Sequence, residues 1–100
     1  MDIFDVVIKD GLKKDLIKFP KYIIRKLLTW VKDIEEIGLR EVQKIPGYHD
    51  EPLTGKRKGQ RSIRLNRAYR AIYITKVDVL TKNLGKVEFV YIEEVNKHDY

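Results

Sequence analysis

Arg61-Ser62-Ile63-Arg64-Leu65-Asn66-Arg67-Ala68-Tyr69-Arg70-Ala71-Ile72-Tyr73 is the stretch on which the fold turns. Apolar and polar residues alternate on either side of Asn66-Arg67-Ala68, so Arg61 to Leu65 and Tyr69 to Val79 read as two strands joined by a turn. With a three-residue turn over 66–68, Leu65 faces Tyr69 and Arg64 faces Arg70. Side chains alternate across a strand, so Ile63, Leu65, Tyr69, Ala71 and Tyr73 then share one face, and Ser62, Arg64, Arg70 and Ile72 the other. A two-residue turn would set Arg64 against Ala71 and dissolve the arginine pair.

Downstream, Asn83-Leu84-Gly85 breaks the chain before a third strand, Val87 to Val95. Upstream the periodicity changes. Ile23, Leu27, Trp30, Val31 and Ile34 recur at three- and four-residue spacing, which predicts a helix opened by Pro20 and closed by Gly38. The Trp30 stripe is the side of that helix that enters a core. A short helix over Leu12 to Ile17 is stopped by Phe19-Pro20, and another turn of helix covers Leu39 to Ile45 before Pro46-Gly47. Ile3, Val6, Val7 and Ile8 in the first nine residues suit an opening strand. Tyr48 to Gly59, with Pro52, Gly55 and Gly59, reads as a loop that presents side chains. Helices precede strands, which predicts an α+β domain over residues 1–100: an N-terminal strand and helices packed on one face of a small antiparallel sheet.

A chain of 100 residues, 43% hydrophobic, supports one core and excludes two large domains. It has no cysteine, which rules out disulfides, zinc ribbons and cysteine nucleophiles and fits a reducing compartment. Met1-Asp2-Ile3-Phe4-Asp5 lacks the pattern of a secretory leader, and no apolar run approaches the ~18 residues of a membrane span. The expectation is a cytoplasmic protein with no membrane partner.

The net charge of +6 is local. Between Gly55 and Arg70 stand Lys56, Arg57, Lys58, Arg61, Arg64, Arg67 and Arg70 with no acidic residue, whereas charges elsewhere nearly balance. Such a field is aimed at an anionic ligand, and nucleic acid, an acidic protein and a membrane surface all fit the net charge. Arg64 opposite Arg70 costs a few tenths to about 1 kcal/mol relative to a neutral pair, and an anion held between them reverses the sign. The planar guanidinium fork suits a phosphate because it bonds two oxygens at once. The competing reading of the same residues is a solvated basic surface.

Neither His49 nor His98 belongs to a short-range ligand pair, so the spacing predicts no metal site and no cofactor. No Walker or dinucleotide glycine loop is present, which disfavours nucleotide hydrolysis. His98, following the last strand, is a candidate general acid or base, since imidazole titrates near neutral pH. His49, beside Asp50 and Glu51, reads as incidental to the loop.

The run Glu51-Pro52-Leu53-Thr54-Gly55-Lys56-Arg57-Lys58-Gly59-Gln60-Arg61-Ser62-Ile63-Arg64-Leu65, followed by Tyr69-Arg70, resembles the central strands of RelE/HigB-type toxins of bacterial toxin–antitoxin pairs. Glu94-Val95-Asn96-Lys97-His98 resembles the strand that bears the terminal histidine of HigB-like members. The resemblance implies a metal-independent endonuclease that cuts mRNA in the ribosomal A site by attack of the 2′-hydroxyl on the adjacent phosphate. It implies that Arg70 holds the scissile phosphate, Arg64 stabilises the leaving group and His98 transfers a proton. Where HigB proteins often carry histidine before Pro-Leu, this chain has Glu51, which leaves Glu51 or His49 for the role of base. Thr54 and Lys97 also depart from the common lysine and tyrosine. Lys56, Arg57, Lys58, Arg61 and Arg67 would then grip mRNA and ribosomal RNA backbones, and an antitoxin protein would cover the basic face. A gyrase-blocking ParE-like toxin and a non-catalytic nucleic-acid-binding module are the alternatives.

Overall fold

The computed structural model describes residues 2–81 and 85–97. In chain order the elements are β1 (Asp5–Ile8), α1 (Asp10–Asp15), α2 (Lys21–Ile37), α3 (Leu39–Gln43), β2 (Glu51–Pro52), β3 (Arg61–Arg64), β4 (Tyr69–Thr81) and β5 (Gly85–Lys97). Single 3-10 turns occupy Leu16–Lys18, Pro46–Tyr48 and Gly55–Arg57.

The apolar stripe becomes the inner side of α2, where Ile23, Leu27, Trp30 and Ile34 are buried and Val31 is half-buried beside them. Pro20 precedes the first turn with its fixed φ, and Gly38 ends the helix at φ +88°. A side chain at Gly38 would collide with the carboxylate of Asp2. That carboxylate accepts from the amides of Ile3 at 2.7 Å and Arg40 at 3.0 Å, so the N-terminal segment is fastened to the start of α3. The Arg40 amide is the chief reason its pKa is lowered.

The five strands lie in the order β1-β5-β4-β3-β2. β2, β3, β4 and β5 pair antiparallel in sequence, and the predicted strands at 61–65, 69–79 and 87–95 fall within or across them. The sheet is mixed, however: β1 pairs parallel with β5, Val6 opposite Val90 and Ile8 opposite Ile92. The expected all-antiparallel sheet is corrected at this one edge. A tight turn dictates the direction of β3 to β5, but β1 is separated from β5 by most of the chain, and side-chain alternation is the same in either direction. The loop expected over 48–59 contains β2, whose Pro52 sits at the sheet edge, where a missing N–H breaks no inner ladder.

One hydrophobic cluster joins α2 and α3 to the inward side of the sheet, with Trp30 against Tyr73 at 5.1 Å between ring centroids. Ile63, Leu65, Ala71 and Tyr73 all belong to it, as the alternation required. On β5 the buried residues are Val90, Ile92 and Val95, spaced two and then three apart. The ladder shows why: Tyr73 pairs with Ile92 but Ile72 pairs with Glu94, so Glu93 is the extra residue of a bulge. The bulge reverses the alternation and puts Glu94 and Asn96 on the same outer face as Ile72 and Arg70. Among the described residues no helix is long and apolar enough to cross a membrane.

Candidate nucleic-acid cleft and its relatives

The outer face is shaped by the turn at 66–68. Asn66 Oδ1 accepts from the amides of Ala68 at 2.8 Å and Tyr69 at 2.7 Å, while the carbonyl of Tyr69 accepts from the amides of Leu65 and Asn66. These bonds fix a three-residue turn, because the asparagine side chain replaces a backbone acceptor inside it. The register follows: Ile63 opposite Ala71 and Arg64 opposite Arg70.

Beside that pair lies a cleft of about 200 Å³ lined by His49, Glu51, Ser62, Ile63, Arg64, Asn66, Arg67, Ala68, Tyr69 and Arg70. Arg64 is exposed and Arg70 half-buried. Arg70 Nε is buried and has no hydrogen-bond partner among the described residues. A buried guanidinium nitrogen left unbonded costs on the order of 1–3 kcal/mol, a cost that an acceptor bound at this site would relieve. Three arginines against one carboxylate make the lining cationic, which suits an anion with several oxygens.

Glu51 reaches the cleft from β2, opposite Ser62 of β3. His49 enters from the end of the Pro46–Tyr48 turn, with φ +47°, the left-handed backbone of a non-glycine residue. His49, by spacing incidental to the loop and by the resemblance an alternative to Glu51 as base, lines the cleft with Glu51, Arg64 and Arg70. Ser62 and Asn66 were not singled out as site residues. Ser62 was legible from its parity with Arg64, whereas Asn66 acts on the backbone, for which sequence spacing carries no signal. His98 lies outside the described residues.

The remaining basic residues divide. Arg67 lines the cleft, and Lys56 and Lys58 are exposed. Arg57 is paired with Glu94 and donates from Nε to Gln60 at 2.9 Å, while Gln60 Nε2 donates to Glu93 at 3.0 Å. With the Gln60 carbonyl accepting from the Leu53 amide at 2.8 Å, these contacts fasten the 53–60 loop to β5. Burial pushes the Glu94 carboxyl up, but Arg57 and Asn96 more than offset it, and its pKa is lowered. Arg61 points the other way. It pairs with Tyr73 across the ladder, on the core side, and its Nε donates to Asp50 Oδ1 at 2.7 Å. Two of the five proposed RNA-gripping residues therefore carry internal contacts, and only Arg67 among the five touches the cleft.

No sequence-family profile matches the chain, and no curated protein matches it by sequence. Solved structures do match. YafQ from E. coli strain BL21(DE3) superposes with a TM-score of 0.64 at 20% identity, covering 93% of this chain and 91% of that one. The YoeB/ParE toxin from Agrobacterium tumefaciens gives 0.62 at 13% identity over 95% and 99%. A chain of the RelBE2 toxin–antitoxin complex from Mycobacterium tuberculosis gives 0.60 at 18% identity over 96% and 99%. Identities this low establish architecture. The chain shares the fold of these structures, which is the architecture that the resemblance of its central strands implies.

Proposed function

We propose that the protein is an mRNA endonuclease, the toxin of a toxin–antitoxin pair, acting on mRNA in the ribosomal A site. The observation that carries this reading is the Arg64–Arg70 pair, directly opposed across β3 and β4 at a cleft where Arg70 Nε is buried with no acceptor among the described residues. Like charges at that spacing repel, and a phosphodiester between them supplies a countercharge and an acceptor together.

In the proposed reaction the 2′-oxygen bonds to phosphorus while the bond to the 5′-oxygen of the next nucleotide breaks. This leaves a 2′,3′-cyclic phosphate and a 5′-hydroxyl. Arg70 holds the phosphate oxygens on which charge grows, and Arg64 neutralises the departing oxygen. The 2′-hydroxyl proton goes to Glu51 or His49 on the cleft wall, and His98 supplies a proton to the leaving oxygen. Alignment of the 2′-oxygen with the departing oxygen accounts for a large part of such a rate enhancement, which suits a site with few titrating groups. Lys56, Lys58 and Arg67 add salt-sensitive affinity for RNA backbones. The protein is a cytoplasmic partner of the ribosome in this reading, and a cognate antitoxin protein covers the basic face until released.

Induced expression of the wild type and of Arg70→Ala, with mapping of mRNA ends, tests the proposal. Ribosome-dependent cuts are expected only with the wild type, and ribosome binding should survive the substitution. Inhibition of gyrase supercoiling without RNA cuts would assign the fold to a ParE-like role. If no RNA is cut and every basic substitution weakens RNA binding alike, the protein is a non-catalytic binding module.

A further inference from the structure

Asp50 stands between two residues of the cleft wall, His49 and Glu51, but its own side chain is only 1% exposed and lies on the core side. Its two oxygens are both taken. Oδ1 accepts from Arg61 Nε at 2.7 Å, and Oδ2 accepts from the Tyr73 hydroxyl at 2.5 Å. The same hydroxyl accepts from Gln43 Nε2 at 3.0 Å, so β3 and β4 meet the 49–51 segment at one carboxylate and α3 joins them through Tyr73. Burial, and then Asp50, push the Tyr73 phenol well above the ordinary tyrosine range, which keeps it a donor. For Arg61, burial pulls the pKa down, but Asp50 outweighs it and the net shift is upward. The sequence offers a reason for this placement in the alternation of three polar residues. Position 50 faces inward, position 51 faces outward opposite Ser62, and His49 turns through the left-handed region to stay outside.

We infer that Asp50 is a positioning residue: held from the core side by Arg61 and Tyr73, it fixes the backbone that delivers His49 and Glu51 to the cleft on the other side of the strand. Arg61 thereby acts inside the fold, as the countercharge of Asp50. This rests on the endonuclease reading, because what is positioned is the candidate base for 2′-hydroxyl attack. Asparagine at position 50 keeps the shape but meets two donors with one acceptor, and Arg61 loses its countercharge. The 49–51 backbone is then free to shift, and a displacement of about 1 Å at a reacting group costs on the order of 10²-fold in rate.

The experiment measures cleavage of programmed mRNA on purified ribosomes, with kcat and KM determined separately. The proteins are the wild type, Arg70→Ala, Asp50→Asn, Tyr73→Phe and the double variant His49→Gln/Glu51→Gln, with and without Asp50→Asn. Asp50→Asn is expected to lower kcat by at least about tenfold with KM within about twofold. In the His49→Gln/Glu51→Gln background it should cause no further loss, since the groups it positions are gone. Wild-type kcat in a folded Asp50→Asn protein overturns the inference, and so does a loss that multiplies in that background. A raised KM with unchanged kcat overturns it too, because Asp50 and Arg61 would then serve binding. If Asp50→Asn does not fold, Tyr73→Phe decides, as it removes only the hydroxyl and keeps the ring against Trp30. Reduced kcat there supports the inference, and wild-type kcat refutes it. A wild type that cuts no mRNA removes the endonuclease reading and this inference together, whereas failure of the Asp50 and Tyr73 variants alone leaves that reading intact.

Discussion

Arg70 meets two demands that conflict in most surface residues. Its Nε is buried without a partner among the described residues, and its neighbour across β3 is another arginine. A lysine there keeps the charge but loses the fork and the Nε donor, so Arg70→Lys separates charge from geometry. We expect Arg70→Lys to lower cleavage by about 10²–10³-fold, the range for losing one donor aimed at transition-state charge, with RNA affinity little changed. Single-turnover cleavage on programmed ribosomes, read beside RNA binding, checks this. An equal fall in both would mean that the arginine serves affinity alone.

The elements are joined by a few residues whose task is steric or conformational. Gly38 combines a positive φ with a near approach to Asp2, where α2 gives way to α3 and the N-terminal segment is tied down. Gly38→Ala should destabilise the fold by about 1–3 kcal/mol from the backbone conformation alone, with the collision adding to it. Chemical denaturation would show this as a lower midpoint. Asp2→Ala loses the bonds to the Ile3 and Arg40 amides in either background but relieves the collision only where position 38 carries a methyl group, so it should cost less in Gly38→Ala than in the wild type, and an equal cost in both would refute the contact. The bulge at Glu93 works on the same scale. By adding one residue to β5 it turns Glu94 and Asn96 outward, Asn96 opposite Arg70 and Glu94 toward Arg57 of the 53–60 loop.

Across the molecule, two of the five described tyrosines, Tyr48 and Tyr73, donate their hydroxyls to carboxylates. Burial raises the Tyr48 pKa and Asp33, which accepts its hydroxyl at 2.7 Å, raises it further; burial and then Asp50 do the same for Tyr73. Both shifts favour the protonated phenol in the folded state, so their contribution to stability is complete below the unfolded value near 10 and is lost as pH climbs above it. Thermal melts are expected to be insensitive to these groups at neutral pH and to fall steeply above about pH 10. Phenolate absorbance from these two should appear only with unfolding. Tyr73→Phe should flatten the alkaline fall, and an unchanged slope would count against the linkage. On the same scale, β4 and β5 are each 13 residues long, about 43 Å of strand at 3.3 Å per residue, which accounts for the 47 Å long axis.

The sequence alone determined the elements that repeat locally. Alternation through Ile63, Leu65, Ala71 and Tyr73 gave the inner face of the central hairpin, and the spacing of Ile23, Leu27, Trp30 and Ile34 gave the inner side of α2, because a side chain's direction follows from its position in a regular backbone. The opposition of Arg64 and Arg70 was legible to the same degree, once the turn was taken as three residues. What only the tertiary structure decided was which charges are free. Asp50 and Arg61 are eleven residues apart, and Arg57 and Glu94 thirty-seven, so no local period relates them; their pairing depends on which sheet edge the 48–60 segment folds against. The parallel edge strand and the bulge at Glu93 are likewise consequences of packing, since alternation is blind to strand direction and an added residue leaves no mark until its neighbours are in place.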